Sequence, residues 1–335
     1  MLRWGSSGCD PRVVRVIIDT DPAMGSKGGD PEDSFAILLA LNSPEVEVIG
    51  VTVVQGNVPV DHGYPNAVHL LERVGCRDVP VLAGVELPMN PSRKKQIEGL
   101  ERRREMPRLV PRREPAPGDP HAVDFLIQSV LDSPGEITLV TIGPLTNVGP
   151  ALMRAPEIAG KVAGLVAMAG AATVPGNVTP SAEFNVWADP EAADIVFRAG
   201  LPLTMVGLDV CEQTHLRFET IERAARGESE LARFVAEAVT PWMEFRQRVG
   251  GEADLHLYDS LAVATAFRPD FVRVEDCRVA IETEGRLTQG ETVTLRGRLL
   301  QTSRHEANAR VALDVDAEGF EAFFCERVID PIVGS

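Results

Sequence analysis

The chain has 335 residues, of which 44% are hydrophobic and 24% are charged, a composition typical of a globular protein. Its formal net charge of −16 disfavours nucleic acids and anionic membrane surfaces as partners, because a polyanion is bound by a positive surface. No stretch approaches the roughly 20 apolar residues that span a bilayer, and the first residues lack the apolar core of a secretory signal. We therefore expect no nucleic-acid partner and no membrane partner.

The cysteines are odd in number and scattered: Cys9, Cys76, Cys211, Cys277 and Cys325. They show neither zinc-ligand spacing nor a redox pair. Isolated thiols of this kind are typical of a reducing compartment, so we predict a cytoplasmic protein.

The N-terminal part alternates short apolar, β-branched runs with helical patterns. We predict strands over 13–18, 46–54 and 79–83, with helices over 34–41 and 61–74 between them. This alternation predicts an α/β fold, an open and mainly parallel sheet with helices on both faces. Ligands bind such sheets outside the carboxyl ends of the strands, so we expect the active site there.

Carboxylates gather where the first predicted strand ends. Asp19 and Asp21 follow the strand, and a glycine-rich loop leads to Asp30, Glu32 and Asp33. So many carboxylates in one short segment are costly unless a cation or a proton neutralises part of the charge. With no cysteine or histidine nearby, these oxygens suit Ca²⁺ or Mg²⁺ rather than zinc. The alternative is an acidic, solvated loop that caps the next helix, where its negative charge interacts favourably with the positive end of the helix dipole.

Amide and acid side chains also follow later predicted strands: Asn57, Asn177, Glu183 and Asn185. In an extended segment Glu183 and Asn185 point to the same side, and together with Asn177 they offer donors and acceptors that suit a polyhydroxylated sugar. For Asn57, turn chemistry alone is the alternative.

Residues 86–120 interrupt the strand and helix pattern with prolines and with a basic run over 93–113. A block of like charge is usually a mobile, solvated segment, and recognition of phosphate is the weaker alternative. We find neither a repeat nor a clear linker, so we predict one domain over 1–335, with residues 1–12 as an N-terminal tail.

The C-terminal half predicts a strand over 203–210 and two helices within 219–248, the second carrying Trp242 and Phe245. Such aromatic side chains belong most often to the core. His256, Tyr258 and Asp259 then precede an apolar helix over 261–267, and Asp259 could be merely an acid at its N-terminus. The strands predicted at 279–283 and 311–315 and the helix at 317–328 are expected to be structural.

The acidic segment resembles the signature of the inosine–uridine preferring nucleoside hydrolase family, in which a strand ends in Asp-x-Asp-Pro-Gly-x-Asp-Asp-Ala. The match continues through GVTVVQGN at 50–57, LVTIGPLTN at 139–147, AEFN at 182–185, DPEAA at 189–193 and MVGLD at 205–209. The resemblance implies hydrolysis of the N-glycosidic bond of ribonucleosides to ribose and free base with a Ca²⁺-bound water. It also implies a homodimer or homotetramer, and it makes residues 86–120 a lid-like insertion.

The resemblance gives each candidate residue a role. Ca²⁺ would be bound by three carboxylates and one backbone carbonyl: Asp21, Asp33, Asp259 and Ile142. Asp21 would also be the general base, and Asp19 would support the loop. The ribonucleoside would be bound by Asn57, Met168, Asn177, Glu183, Asn185 and Trp242.

Two departures from the family pattern leave roles open. The compact family loop is stretched here to DPAMGSKGGDPED, so Glu32 stands where the family has an Asp that contacts the ribose, and Asp30 competes for that role. The family histidine before the last metal-binding Asp is Tyr258, a poor acid near pH 7. The leaving-group role is thus open between Tyr258 and His256, and for His256 the alternative is a surface or packing histidine. The alternative function is a relative that binds or processes another ribosylated metabolite.

Overall fold

The computed structural model describes residues 13–25, 29, 31–101, 108, 110–227, 229–248 and 254–334. The predicted N-terminal tail, Asp30 and part of the basic run lie outside the described residues. No helix within the described ranges is both long enough and apolar enough to cross a bilayer.

The strands follow the chain order β1 (Val14–Thr20), β2 (Val46–Val53), β3 (Val81–Ala83), β4 (Ile137–Thr141), β5 (Gly164–Met168), β6 (Leu203–Val206), β7 (His215–Leu216), β8 (Leu255–His256), β9 (Val272–Ile281), β10 (Thr292–Leu295) and β11 (Ala309–Val315). Nine of them form one sheet in the order β10-β9-β11-β6-β5-β4-β1-β2-β3, and β7 pairs with β8 separately. Strand β9 runs antiparallel to β10 and β11, whereas the other neighbours in the large sheet are parallel. The predicted, mainly parallel sheet is confirmed.

The helices are α1 (Glu32–Leu41), α2 (Val60–Arg73), α3 (Lys94–Glu101), α4 (Ala122–Asp132), α5 (Val148–Arg154), α6 (Phe184–Ala188), α7 (Pro190–Arg198), α8 (Leu208–Cys211), α9 (Phe218–Ala225), α10 (Glu230–Arg248), α11 (Tyr258–Phe267), α12 (Gly297–Thr302), α13 (Ala317–Phe324) and α14 (Asp330–Val333). A π-helical turn, Cys325–Ile329, joins α13 to α14.

Helices cover both faces of the sheet because the side chains of β1 alternate between two apolar clusters. Ile18 packs in the cluster that contains side chains of α1, α2, α10 and α11. Ile17 packs in the other cluster, with side chains of α4, α5 and α7. A central strand buried on both faces explains why 14–18 is a continuous apolar and β-branched run broken by a single arginine.

The strand predicted over 203–210 is too long. It ends at Val206, and Leu208–Cys211 form α8. The chain turns at Gly207, where an added Cβ would lie 2.8 Å from the carbonyl oxygen of Gly170. The N–H of Leu208 donates to that same oxygen at 2.9 Å, which bends the chain out of the sheet.

The solvated state predicted for the basic run is wrong at Arg93, which is 2% exposed. Its guanidinium lies 5.0 Å from the centre of the Trp187 ring and donates to the carbonyl groups of Trp187 and Ala188. Two later arginines of the same run, Arg108 and Arg112, form ion pairs with Asp61 of α2. The insertion is therefore attached to α2 and to the end of α6.

Candidate active site

A cavity of about 390 Å³ lies where the carboxyl ends of β2, β4 and β5 meet α6, α10 and α11. Its lining combines acid, amide and aromatic side chains: Glu32, Asn57, Ile142, Met168, Asn177, Val178, Glu183, Phe184, Asn185, Trp242, Phe245, Arg246, Tyr258 and Asp259. The fold thus brings together nearly all the predicted substrate-binding residues, at the predicted edge of the sheet.

Asp21 is fully buried at the end of β1 and is tightly enclosed by backbone. The N–H of Asn57, a residue that lines the cavity, donates to its Oδ2 atom. An added Cβ at Gly56 would lie 1.9 Å from Oδ2, and one at Gly143 would lie 3.0 Å from Oδ1. Both glycines are therefore needed for the loops to approach this carboxylate.

Asp33 lies next to Asp21 and is also fully buried. Its Oδ1 atom accepts from the Thr20 hydroxyl at 2.5 Å and from the Asp21 N–H at 3.1 Å. Its Oδ2 atom is buried and has no hydrogen-bond partner among the described residues. Burial raises the pKa of Asp33, and the hydrogen bonds from Thr20 and Asp21 oppose that shift. Such a buried carboxylate oxygen is costly on its own and suits a hard cation.

Within the described ranges, no group of three or more His, Cys, Asp or Glu side chains forms a site that could hold a metal ion. The predicted Ca²⁺ ligands Asp21, Asp33 and Asp259 are therefore not a closed cluster. The buried Oδ2 atom of Asp33 nevertheless fits a cation.

Asp19, for which the resemblance implies support of the loop, connects the end of β1 to one residue on β2 and one residue beyond β4. Its Oδ1 atom accepts from Thr52 on β2 at 2.5 Å and from Asn147 beyond β4 at 2.7 Å. Burial raises the pKa of Asp19 to about 7, against the effect of those two hydrogen bonds.

The polar end of the cavity consists of Asn177, Glu183 and Asn185, and we call it the sugar end after the ligand predicted for these residues. It is held by backbone contacts. Oε2 of Glu183 accepts from the Gly170 N–H at 2.9 Å, and Oε1 accepts from the Asn185 N–H at 2.7 Å. The amide of Asn185 donates to the carbonyl oxygens of Ile142 at 3.2 Å and Met168 at 3.0 Å. Burial raises the pKa of Glu183, although these N–H groups lower it.

The extended conformation predicted for 183–185 is wrong. Glu183 is the N-cap of α6, and its side chain accepts from the N–H groups of Asn185 and Val186. A cap followed by a single turn of helix still directs both side chains to one place, because the cap bends Glu183 back over that turn. Asn177 joins them by accepting from the Phe184 N–H at 2.9 Å.

The aromatic end of the cavity consists of Trp242, Phe245 and Arg246 of α10, and we call it the base end as the part expected to face the base of a ribonucleoside. The sequence predicted Trp242 but missed Arg246, although their four-residue spacing places both on one helix face. Within the lining, Arg246 is the single cationic side chain among the described residues.

Tyr258 lines the cavity, and its ring is stacked on that of His256 at 5.2 Å between centroids and 18° between planes. The two rings therefore share one side of the chain. Burial lowers the pKa of His256, and the neighbouring His215 lowers it further.

Glu32 lines the cavity, but its carboxylate contacts protein. Oε2 accepts from the Asp259 N–H at 2.6 Å, and Oε1 accepts from the Ser260 N–H at 2.9 Å and from the Ser260 hydroxyl. Its predicted competitor for the sugar, Asp30, lies outside the described residues.

A cavity with polar and aromatic side chains, at the strand ends of a mainly parallel sheet, is the kind of site in which α/β enzymes bind small molecules. The profile of the inosine-uridine preferring nucleoside hydrolases matches residues 16–322. The chain belongs to this family, and the predicted family and the predicted class of enzyme, an N-ribosyl hydrolase, are confirmed.

Individual relatives cover nearly the whole chain. The pyrimidine-specific ribonucleoside hydrolase RihA of Shewanella sp. strain ANA-3 is 37% identical over 309 residues, which are 91% of this chain and 93% of that protein. The plant nucleoside hydrolase PpNRh1 superposes with a TM-score of 0.83 at 31% identity, over 95% of this chain and 99% of its own. The purine-preferring ribonucleoside hydrolase from Gardnerella vaginalis has a TM-score of 0.80 at 30% identity, over 96% and 100%. Since these relatives are named for different bases, the family leaves the base open.

Proposed function

We propose that this enzyme hydrolyses the N-glycosidic bond of ribonucleosides to ribose and free base, with Ca²⁺ as its cofactor. The observation that carries the proposal is that one cavity is lined both by Asn185 and Glu183 and by the aromatic side chains of the base end. The buried Asp21 and Asp33 next to this cavity supply the acid groups that hydrolysis needs.

Cleavage of such a bond passes through an oxocarbenium-like sugar, so a water must be deprotonated while the base departs. Asp21 is the general base in this proposal, and the Asn57 N–H fixes the orientation of its carboxylate. Asp21, Asp33, Asp259 and the Ile142 carbonyl would hold the Ca²⁺. When bound there, Ca²⁺ would lower the pKa of a water and bind sugar hydroxyls.

The sugar end orients the ribose. Its side chains are locked by backbone hydrogen bonds before substrate arrives, so little ordering is needed on binding. Hydroxyl contacts that strengthen at the transition state act on kcat as well as on binding.

The base end holds the leaving group. Trp242 and Phe245 offer ring faces for stacking, and Arg246 offers permanent positive charge to carbonyl oxygens of the base. Because burial lowers the pKa of His256, its imidazole is neutral near pH 7. Departure of the base therefore depends on stacking, on Arg246 and on hydrogen bonding by Tyr258 rather than on an imidazolium acid.

The test is a panel of ribonucleosides, incubated with the chelator-treated protein with and without added Ca²⁺ and assayed for free ribose. We expect release of ribose that depends on Ca²⁺. The Asp21→Asn variant should lose at least a hundredfold in kcat, the lower end of general-base contributions, whereas Asp78→Asn at an exposed surface position should be unchanged. A wild-type protein that releases ribose from no nucleoside of the panel would contradict the proposal and favour another ribosylated metabolite.

The predicted homodimer or homotetramer and the predicted cytoplasmic location are part of the same proposal. Sedimentation velocity tests the first, and fractionation of cells that express the protein tests the second.

A further inference from the structure

Helix α11 begins without a cap from its own chain segment. Its N-cap residue is Leu257, which has no polar side-chain atom, and no side chain at that position accepts from the first turn. The first N–H groups of a helix need acceptors, and buried ones left without them are costly. In this protein the acceptor comes from Glu32, which is 227 residues away from Asp259 in the sequence.

The contact uses both carboxylate oxygens of Glu32. One oxygen accepts from Asp259 at 2.6 Å, and the other accepts from Ser260 at 2.9 Å as well as from the Ser260 hydroxyl. Glu32 is 1% exposed and Ser260 is fully buried, so water does not compete for these bonds. The negative charge also lies at the positive end of the α11 dipole.

Glu32 and Asp33 are adjacent in the first turn of α1, and Asp259 is in the first turn of α11. The carboxylate of Glu32 therefore joins the two helix ends that carry two of the proposed Ca²⁺ ligands. A change in its length or charge is therefore expected to alter the position of Asp259 relative to Asp33.

We propose that Glu32 is a positioning residue for the cation, acting through Asp259, and not the sugar ligand that the family pattern implies at this position. The inference rests on the proposed function, because it assigns Asp259 to Ca²⁺. It also explains why the chain has Glu here, since an Asp side chain is one methylene (~1.5 Å) shorter and, from the same backbone position, does not reach both N–H groups.

The experiment measures Ca²⁺ binding by calorimetry on chelator-treated protein. We expect Glu32→Ala and Glu32→Asp to weaken Ca²⁺ binding by about tenfold to a hundredfold, the usual cost of losing a group that orients a metal ligand. Glu32→Gln keeps the length and one acceptor oxygen, so its loss should be smaller than that of Glu32→Asp. In the variants, kcat at saturating nucleoside should recover as Ca²⁺ is raised in excess, a recovery that damage to the fold alone would not show.

The matched control is Asp316→Ala, which removes a cap that accepts from the Gly319 N–H of α13 at 3.1 Å, away from the cavity. It should lower the melting temperature and leave Ca²⁺ affinity within about twofold, below the range for groups that orient a ligand.

Two results would overturn the proposal alone. One is unchanged Ca²⁺ affinity in Glu32→Ala and Glu32→Gln, and the other is a Glu32→Asp variant that binds Ca²⁺ normally and has a lower KM for ribonucleosides, as a sugar ligand would. A wild-type protein that binds no Ca²⁺ would overturn the metal assignment and this inference together, while ribose release without metal would leave the hydrolase proposal standing.

Discussion

The two ends of the cavity are built differently. Glu183 and Asn185 at the sugar end are 2% and 5% exposed, and their hydrogen bonds reach the backbone at the ends of β4 and β5. The base end comes from a single helix, α10, where Phe245 and Arg246 are half-buried. The sugar end is thus hydrogen-bonded directly to the ends of the strands, whereas the base end lies on a separate helix.

This difference matches what the substrates share and where they differ. All ribonucleosides carry the same sugar, so a site fixed by the sheet serves all of them. Bases vary in size and in hydrogen-bonding groups, and a helix outside the sheet can change its exposed side chains without disturbing the strands. We therefore expect substitutions at the sugar end to affect all substrates alike and those at the base end to discriminate among bases.

The largest effect should come from Gly56→Ala, next to Asp21, the proposed general base. The new Cβ would lie 1.9 Å from Asp21 Oδ2 and 2.7 Å from the Pro144 ring, so Asp21 or the whole loop must move. A displacement of about 1 Å at a reacting group costs on the order of a hundredfold in rate, and we expect at least that loss in kcat for every nucleoside. Gly160→Ala is the control, because an added Cβ there meets nothing within 4 Å. Normal activity in Gly56→Ala would exclude Asp21 from the reaction.

Asn185→Ala should produce the next largest effect, and it should be uniform. The variant leaves the Ile142 and Met168 carbonyls without their donor, and we expect kcat/KM to fall about tenfold to a hundredfold, the range for lost buried hydrogen bonds. Inosine and uridine should lose activity by the same factor in steady-state assays.

The control for Asn185→Ala is Asn308→Ala, which breaks an equivalent pair of bonds from a side-chain amide to the Phe197 and Val279 carbonyls, in another part of the sheet. It should lower stability without changing kcat/KM. A loss that is confined to purines or to pyrimidines in Asn185→Ala would move this residue from the sugar to the base.

The sequence carried enough information for the sheet and for most of the sugar end. Apolar runs placed the strands, and the rule that ligands bind at carboxyl strand ends brought Asn57, Glu183 and Asn185 to one cavity. It did not reveal the role of Glu32, because an acid near a helix start has the same local pattern whether it contacts a sugar or the end of another helix. Only the fold shows that Glu32 meets α11.

The conformation of α6 and the burial of Arg93 were missed for a related reason. A five-residue helix is too short for hydrophobic periodicity to identify. An arginine in a basic run has no local sign of burial, and in this structure its environment is set by carbonyl groups that lie 94 and 95 residues along the chain. Long-range contacts of this kind decide individual roles without changing the pattern that predicts the fold.

Arg246→Met sharpens the contrast between the two ends. Removing a charged donor from a hydrogen bond costs about 1.5–3 kcal/mol, and the lower end of this range applies to a half-buried side chain. We therefore expect roughly a tenfold loss in kcat/KM for bases that present a carbonyl oxygen to Arg246. Inosine and uridine should therefore lose more than adenosine and cytidine, which carry an amino group in the corresponding place. Arg248→Met, an exposed change on the same helix, is the control. An equal loss on all four nucleosides would place Arg246 at the sugar rather than at the base.

The smallest effect concerns stability, at the ring stack behind Tyr258. Burial, His215 and Arg246 lower the pKa of His256, while Glu212 and a hydrogen bond to Thr214 oppose the shift. The unfolded chain therefore takes up a proton near pH 6.5 before the folded protein does, so this group's contribution to stability is complete above that pH and is lost as the pH falls below it.

His256→Phe keeps a ring against Tyr258 but cannot be protonated. We expect the fall in melting temperature between about pH 8 and about pH 5.5 to be smaller in this variant than in the wild type. His305→Phe, at an exposed position, should leave the difference unchanged. Calorimetric melting of the three proteins checks this, and equal pH dependence in His256→Phe and the wild type would show that His256 titrates alike in the folded and unfolded chains.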